Sequence, residues 1–181
     1  MLSTYRLRID LLDSDPAIWR RLSVPASIPL DALHDVLQAA MGWTDSHLHR
    51  FEAEGDDGEP VSYSMPYGLA LEGDTDSRGV PLHALLSDPG DSILYEYDFG
   101  DGWEHLVTLE AIEADGPARA VCLDGANACP PEDSGGIWAY NEARPAYVDP
   151  SHPEHAELRD WLGGAFDPDH FDVEAVNRRF V

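Results

Sequence analysis

The sequence contains no lysine: its 11 basic residues are all arginines, set against 35 acidic residues in a chain of 181. The formal net charge of −24 repels phosphate backbones, so nucleic acid is an unfavourable partner. The acidic residues are spread along the chain rather than gathered in one tail. This distribution is typical of a halophilic protein, whose surface charges are screened by high salt. A GC-rich genome that is poor in lysine codons is the alternative explanation.

Cysteine and long apolar runs are also scarce. The two cysteines, Cys122 and Cys129, predict no disulfide framework, and their spacing is wider than that of zinc-knuckle pairs. No segment approaches the roughly 18 apolar residues of a membrane span. The first residues, MLSTYRLRIDLL, lack the basic and then apolar pattern of a signal peptide. We therefore expect a cytoplasmic protein with no membrane partner.

Hydrophobic periodicity predicts an α+β fold, in which three or four helices pack on a mostly antiparallel sheet within a single domain spanning residues 1–181. A stretch that lacks regular alternation, residues 55–79, is expected to be a loop. Residues 118–140 are expected to begin as a strand and to continue as a loop. The predicted strands are 5–12, 17–25 and 47–55, and the predicted helices are 27–43, 151–164 (capped by Ser151) and 171–180 (capped by Asp172).

Residues 92–115 give the strongest hairpin signal. Gly100-Asp101-Gly102 is predicted to form a three-residue loop, because glycine supplies the positive φ that such loops need. This register places Tyr97 opposite His105, and Asp98 opposite Glu104. Like charges that face each other are destabilising. The acidic pair therefore needs an arginine, a bound cation, a raised carboxylate pKa or exposure to solvent.

Five blocks of residues occur in a characteristic order along most of the chain: Ile18–Arg21, Leu33–Trp43, His47–Phe51, Tyr97–His105 and Cys129–Tyr140. Together they resemble the Ri-plasmid ORF-three-like family, a largely uncharacterised family also labelled resolvase-like passenger proteins of insertion elements. The resemblance implies a compact α+β domain associated with plasmids or mobile elements, and it implies no particular activity. Many members of that family have cysteine where this chain has Ser134, which weakens any cysteine-metal role carried over from the family.

The resolvase label finds no support in the residues themselves. A serine recombinase needs a nucleophilic serine among arginines that hold the scissile phosphate, and no serine lies in an arginine cluster here. A helix-turn-helix with a basic recognition helix is also missing. Arg20, Arg21 and Arg50 are the only nucleus for a basic face.

Three of the family blocks mix aromatic and polar side chains, and we expect them to form one binding surface. The function predicted on this basis is that of an uncharacterised, non-enzymatic binding or accessory protein, with an unknown protein or small molecule as its ligand. A structural loop whose acids cap backbone amides is the other interpretation of Pro130–Gly136. The candidate surface residues are Trp43, His47, His49, Phe51, Tyr97, Asp98, Asp101, Trp103, Glu104, His105, Glu132 and Asp133.

A metal site is the alternative prediction for the same surface. His47 and His49 are two residues apart, so on a strand both imidazoles would point to one face and reach one ion. Asp98, Asp101 and His105 are the further candidate ligands. Zinc or another divalent metal held there would indicate a metal-dependent hydrolase or nuclease-like enzyme. Ordinary hydrogen-bonded histidines at a strand start would need no cofactor.

Overall fold

The computed structural model describes residues 3–55, 57–66 and 73–180. Within these residues, eight strands form one sheet: β1 (Thr4–Leu11), β2 (Ile18–Pro25), β3 (His49–Glu54), β4 (Pro60–Ser64), β5 (Thr75–Asp76), β6 (Ser92–Tyr97), β7 (Trp103–Glu113) and β8 (Val121–Ala126). Four α-helices accompany them: α1 (Leu30–Met41), α2 (Gly136–Val148), α3 (His155–Trp161) and α4 (Val173–Asn177). None of these helices is long and apolar enough to cross a membrane.

The strands are ordered β5-β4-β3-β6-β7-β1-β2-β8 across the sheet. Every pairing is antiparallel except that of β4 with β5, and the predicted α+β class is confirmed. β1 alternates as predicted, with Leu7 and Ile9 fully buried between β2 and β7. Helix α1 buries Leu30, Leu33 and Leu37, which its helical period places on one face.

The β6–β7 hairpin differs from the predicted register by two residues. Tyr97 pairs with Trp103 and Tyr95 with His105. The register shifts because Asp98 leaves the strand with a φ of 57°. Its Oδ1 accepts a hydrogen bond of 2.9 Å from the Gly100 amide, which closes a five-residue connection, 98–102, instead of the predicted three-residue loop.

The like-charged pair across the hairpin is therefore Glu96 opposite Glu104, not Asp98 opposite Glu104. Glu96 has an arginine neighbour: Arg50 Nε on β3 lies 2.8 Å from its carboxylate. Glu104 is exposed to solvent. An arginine and solvent exposure, two of the four expected remedies, thus relieve the repulsion.

Two segments predicted as loops contain regular structure. The 55–79 segment holds β4 and the two-residue β5, both too short to show a clear period, and residues 67–72 lie outside the described residues. The end of the 118–140 segment begins α2, whose preceding residue Gly135 and first residue Gly136 both have a positive φ and whose interior contains Pro145. Both glycine and proline normally indicate a loop, so the sequence pattern was misleading here.

The predicted C-terminal helices are both present and both shorter than expected. Asp172 caps α4 as predicted, since its carboxylate accepts from the amides of Glu174 and Ala175. Ser151 does not cap α3; its hydroxyl bonds to Asp149, and the helix begins only at His155. A local side-chain bond at residues 149–151 therefore replaces the predicted cap.

The two cysteines are free thiols in the interior, as the sequence led us to expect. Burial raises the pKa of Cys122 to about 11 and that of Cys129 further still. Thiols with raised pKa values are poor nucleophiles and poor metal ligands. Ser134 is also buried and donates a hydrogen bond to the Pro131 carbonyl.

Candidate functional site

Three segments meet beyond the N-terminal end of β3: the connection after α1 (residues 42–48), the hairpin connection (98–102) and the loop at 130–136. The Trp43 indole donates a 3.0 Å hydrogen bond to the Pro130 carbonyl. The Gly135 amide donates to the Asp101 carboxylate at 3.0 Å. These bonds, together with a buried Trp43 ring, hold the three segments in one place.

One histidine and three carboxylates converge where the segments meet. His47 Nε2 lies 3.1 Å from Asp133 Oδ1, 3.6 Å from Asp98 Oδ2 and 3.9 Å from Glu132 Oε2. We name these four residues the His47 cluster. His47 comes from the first segment, Asp98 from the hairpin, and the other two from the third segment.

Each acid of the His47 cluster is held differently. Asp98 is 6% exposed, and because its Oδ1 is bonded to the Gly100 amide, only Oδ2 faces His47. Glu132 accepts a hydrogen bond from the Tyr97 hydroxyl at 3.1 Å. Burial, and then the Glu132 carboxylate, raise the pKa of Tyr97 to about 12, which keeps this hydroxyl protonated as a donor. Asp133 lies at the surface, with its side chain 75% exposed.

His47 Nε2 is a buried atom that makes no hydrogen bond to any described residue, although three carboxylates surround it. Its 3.1 Å approach to Asp133 is close but not aligned for hydrogen bonding. Two ligands that bind one ion at about 2.1 Å lie roughly 3.0–3.4 Å apart in octahedral or tetrahedral geometry. Ligand atoms of His47, Asp98 and Asp133 lie within 4.8 Å of one another, so small side-chain adjustments would let them share an ion.

A second histidine–carboxylate group lies between α1 and the sheet, and we name it the His34 cluster: His34, Gln38, Asp45, His49 and Tyr95. The Asp45 amide donates to Gln38 Oε1 at 2.9 Å, which fixes the Gln38 NH₂ as donor to the Tyr95 hydroxyl at 3.0 Å. The Tyr95 hydroxyl then donates to His34 Nδ1 at 2.8 Å, and His34 Nε2–H donates to Asp45 at 2.9 Å. The chain of bonds thus sets a single tautomer for His34.

The geometry of the His34 cluster does not suit a metal, although ligand atoms of His34, Asp45 and His49 lie within 4.8 Å of one another. The His34 and His49 rings are stacked, with centroids 3.5 Å apart and planes only 8° from parallel. Nitrogen lone pairs lie in the ring plane, so no point between parallel rings lies along both. Burial, and then the neighbouring His34, lower the pKa of His49 to about 4, which leaves this imidazole neutral at pH 7.

The structure separates several residues that the sequence grouped together. His47 and His49 do not converge on one point, contrary to the prediction, since they belong to different clusters. His105 is fully buried in the core, where its Nδ1 bonds to the Tyr95 carbonyl at 3.2 Å, and burial lowers its pKa to about 4. Asp101 is engaged with the Gly135 amide instead of His47. Of the five predicted ligands, only His47 and Asp98 share a group.

The predicted binding surface divides in the same way. The residues brought together where the three segments meet are Trp43, His47, Tyr97, Asp98, Asp101, Glu132 and Asp133. The remainder lie elsewhere: Phe51, Trp103 and His105 in the core, His49 in the His34 cluster, and Glu104 on the exposed face of β7. Asp133 was predicted as a residue of the binding surface but not as a metal ligand. Its carboxylate is the third potential metal ligand beside His47 and Asp98.

Sequence reasoning did not predict the His34 cluster. The available signal was a pair of polar residues, His34 and Gln38, on the same face of α1 as the buried Leu33 and Leu37. Residues four apart are neighbours on a helix surface, so a buried polar pair at this spacing indicates a shared partner. That partner is Tyr95, at a buried position of β6.

Comparisons with known proteins give one consistent result. The family described as plasmid pRiA4b ORF-3-like proteins matches residues 3–175. The uncharacterized protein y4hQ of Sinorhizobium fredii (strain NBRC 101917 / NGR234) is 42% identical over 180 residues, which covers 97% of this chain and 87% of that protein. The crystal structure of a protein of unknown function, MM3350 from Methanosarcina mazei Go1, is 33% identical and superimposes with a TM-score of 0.85, covering 96% of this chain and 97% of that one. The resemblance of the five sequence blocks is confirmed: the chain belongs to the plasmid pRiA4b ORF-3-like family.

Proposed function

We propose that the protein is a non-enzymatic binding module whose His47 cluster binds a divalent transition-metal ion such as Zn²⁺ or Mn²⁺. The observation that carries the proposal is the buried His47 Nε2: in the part of the chain that the structure describes, it makes no hydrogen bond, while three carboxylates lie within 3.1–3.9 Å of it. A divalent ion would engage the nitrogen and offset the charge of the carboxylates together. A mixed imidazole and carboxylate ligand set suits these metals.

The placement of the ligands supports a binding role. Because they come from three segments, a bound ion would link the hairpin, the connection after α1 and the 130–136 loop. Binding to the folded state alone stabilises that state by mass action. The exposed Asp133 side leaves room for a group from a partner to complete the coordination. The net charge of −24 supports a protein or small-molecule partner over nucleic acid.

No specific contact favours the alternative of a metal-dependent hydrolase. Glu132 is the acid of the cluster that lies farthest from His47 Nε2, and so the one left over to act as a general base. It already accepts hydrogen bonds from the Thr44 amide at 2.9 Å and the Tyr97 hydroxyl at 3.1 Å. A carboxylate so engaged is poorly placed to take a proton from water. The engaged carboxylate therefore supports a role in metal binding, which needs no catalytic base, over a role in hydrolysis.

Isothermal titration of metal-free protein with Zn²⁺ and Mn²⁺ tests the proposal. We expect one site per chain, and at least a tenfold loss of affinity in His47→Gln and in Asp98→Asn. His49→Gln is the matched control. It removes an imidazole only two residues from His47 in sequence, but this imidazole belongs to the His34 cluster, which does not suit a metal. Saturable binding that survives in both cluster variants, or the absence of any binding, would refute the proposal.

A cytoplasmic, salt-adapted accessory role in a plasmid or mobile-element setting is also part of the proposal. Its support is the dispersed acidic charge and the plasmid-derived family. Screening by salt weakens self-repulsion among like charges. We expect the free energy of unfolding to rise between low and molar KCl. An unchanged value would favour the codon-composition explanation for the missing lysines.

A further inference from the structure

In nine of the eleven arginines of this acidic chain, the side chain has a partner. Seven pair with acidic side chains, and two others, Arg20 and Arg159, donate to backbone carbonyls. Arg119 and Arg179 differ: within the described residues, neither guanidinium group has a carboxylate or carbonyl partner. The arginines that pair with acidic side chains are Arg6, Arg8, Arg21, Arg50, Arg78, Arg144 and Arg178.

Both of these arginines line the same cavity, which has a volume of about 630 Å³. One wall is the outer face of α1, where Ala32, Val36 and Ala39 follow one another at helical spacing. The other walls come from the connection between β2 and α1, from residues 118–120 before β8 and from residues 179–180 after α4. The lining is largely apolar apart from the two guanidinium groups, Ser27 and the exposed Asp35.

We propose that this cavity, the α1 groove, binds an amphipathic organic anion: a carboxylate attached to an alkyl or aryl body. The apolar walls would cover the body, and Arg119 and Arg179 would bind the carboxylate. Guanidinium groups pair with carboxylates through two parallel hydrogen bonds. The volume lies within the roughly 300–1,000 Å³ range of small-molecule sites.

The charge of the chain makes the placement of these arginines informative. A net charge of −24 repels anions in general, so a site for an anion requires a local cationic group. Arg179 also lies beside the C-terminal end of α1, with its NH1 atom 3.0 Å from the position that a Gly42 Cβ would occupy. A cation is favoured at that end of a helix, so the position suits the Arg179 guanidinium. Arg119 has no such second role and gives the cleaner test.

Isothermal titration with decanoate, below its micelle concentration, tests the proposal, with decanol as the uncharged probe of equal length. We expect one decanoate per chain, at least tenfold weaker binding of decanol, and at least a tenfold loss of decanoate affinity in Arg119→Gln. Arg78→Gln is the matched control, since it removes the same charge from an exposed arginine that pairs with Asp76 outside the groove. Its affinity should be unchanged.

A second variant addresses the apolar wall. Val36→Asp places a carboxylate on the half-buried face of α1 that lines the groove, and it should abolish decanoate binding while circular dichroism stays native. Absence of saturable binding to the parent protein would overturn the proposal. Equal affinities for decanoate and decanol, or equal losses in Arg119→Gln and Arg78→Gln, would also overturn it. The outcome is independent of the His47 cluster, because no residue of that cluster lines the groove.

Discussion

His47 and His49 are two residues apart, and within the described residues the Nε2 atom of each is buried without a hydrogen bond, yet the two side chains have different surroundings. His47 Nε2 faces three carboxylates without making a hydrogen bond. In the His34 cluster, both nitrogens of His34 are hydrogen-bonded and His49 stacks flat against its ring. Each cluster has three residues whose potential metal-ligand atoms lie within 4.8 Å of one another. The difference teaches that the direction of a lone pair, and what already occupies it, decides whether such a group can hold an ion.

A third histidine, His105, shows what burial does to an imidazole with no carboxylate beside it, and it gives the largest expected effect. Burial, and to a lesser extent the Arg20 charge on β2, lower its pKa to about 4. It faces only the carbonyls of Tyr95 and Trp103 as hydrogen-bond acceptors. Between pH 6.5 and 4 the unfolded chain takes up a proton and the folded chain does not. Stability therefore falls as the pH falls through this window, by about 3 kcal/mol from this group.

Urea unfolding of the parent and of His105→Gln at pH 7 and at pH 4 measures this effect. The glutamine cannot take up the proton, so the variant should lose about 3 kcal/mol less than the parent between the two pH values. Comparing the losses, and not the absolute stabilities, removes any packing cost of the substitution. Equal losses in the two proteins would show that His105 is protonated in the folded state.

The next effect separates the two clusters by their response to a cation. With free Zn²⁺ at 100 times its dissociation constant, the free energy of unfolding of the parent should rise by about 2.7 kcal/mol. Asp98→Asn should show no rise, because the only oxygen of Asp98 that faces His47 is lost as a charged ligand. His49→Gln should keep the full rise. The measurement is the melting temperature of each protein with and without the ion. If the rise is lost in His49→Gln and kept in Asp98→Asn, the His34 cluster and not the His47 cluster binds the ion.

The hydrogen-bond chain of the His34 cluster predicts a loss of stability without a change in cation affinity. Tyr95→Phe leaves the Gln38 NH₂ and His34 Nδ1 buried without their partner, which costs about 2 kcal/mol. Tyr63→Phe is the matched control, since the Tyr63 hydroxyl makes no hydrogen bond within the described residues. Chemical unfolding of the two variants provides the measurement. If they are equally stable, the chain of bonds contributes nothing.

The comparison of the clusters also shows where the sequence was sufficient. β1, β2 and α1 follow long and regular patterns, and each was predicted within a few residues. Three of the resemblance blocks contribute residues to the His47 cluster. Strand alternation, however, was applied to His47 and His49 although β3 begins only at His49. His47 lies in an irregular connection, where residues two apart need not share a face.

The remaining errors at the His47 cluster arise from single residues whose conformation depends on tertiary contacts. Asp98 adopts a φ of 57°, and this one residue lengthens the hairpin connection and shifts the register. Asp133 has a φ of 54°, which turns its side chain toward His47. Aspartate enters this left-handed region more readily than most residues, but the sequence does not say which aspartate does so. The ligand set of the His47 cluster could therefore not be deduced from spacing.

The smallest effect tests the tautomer of His34. If His34 Nε2–H donates to Asp45, an amide oxygen can replace the carboxylate oxygen, and Asp45→Asn should change the free energy of unfolding by less than about 0.5 kcal/mol at pH 7. The Asp45 side chain is 54% exposed, so the loss of its charge adds little. Asp45→Ala removes the acceptor and should cost more, about 1 kcal/mol. An Asn variant as unstable as the Ala variant would mean that charge, and not the direction of the hydrogen bond, holds His34 in place; the polarity derived for the whole chain through Gln38 and Tyr95 would then be wrong.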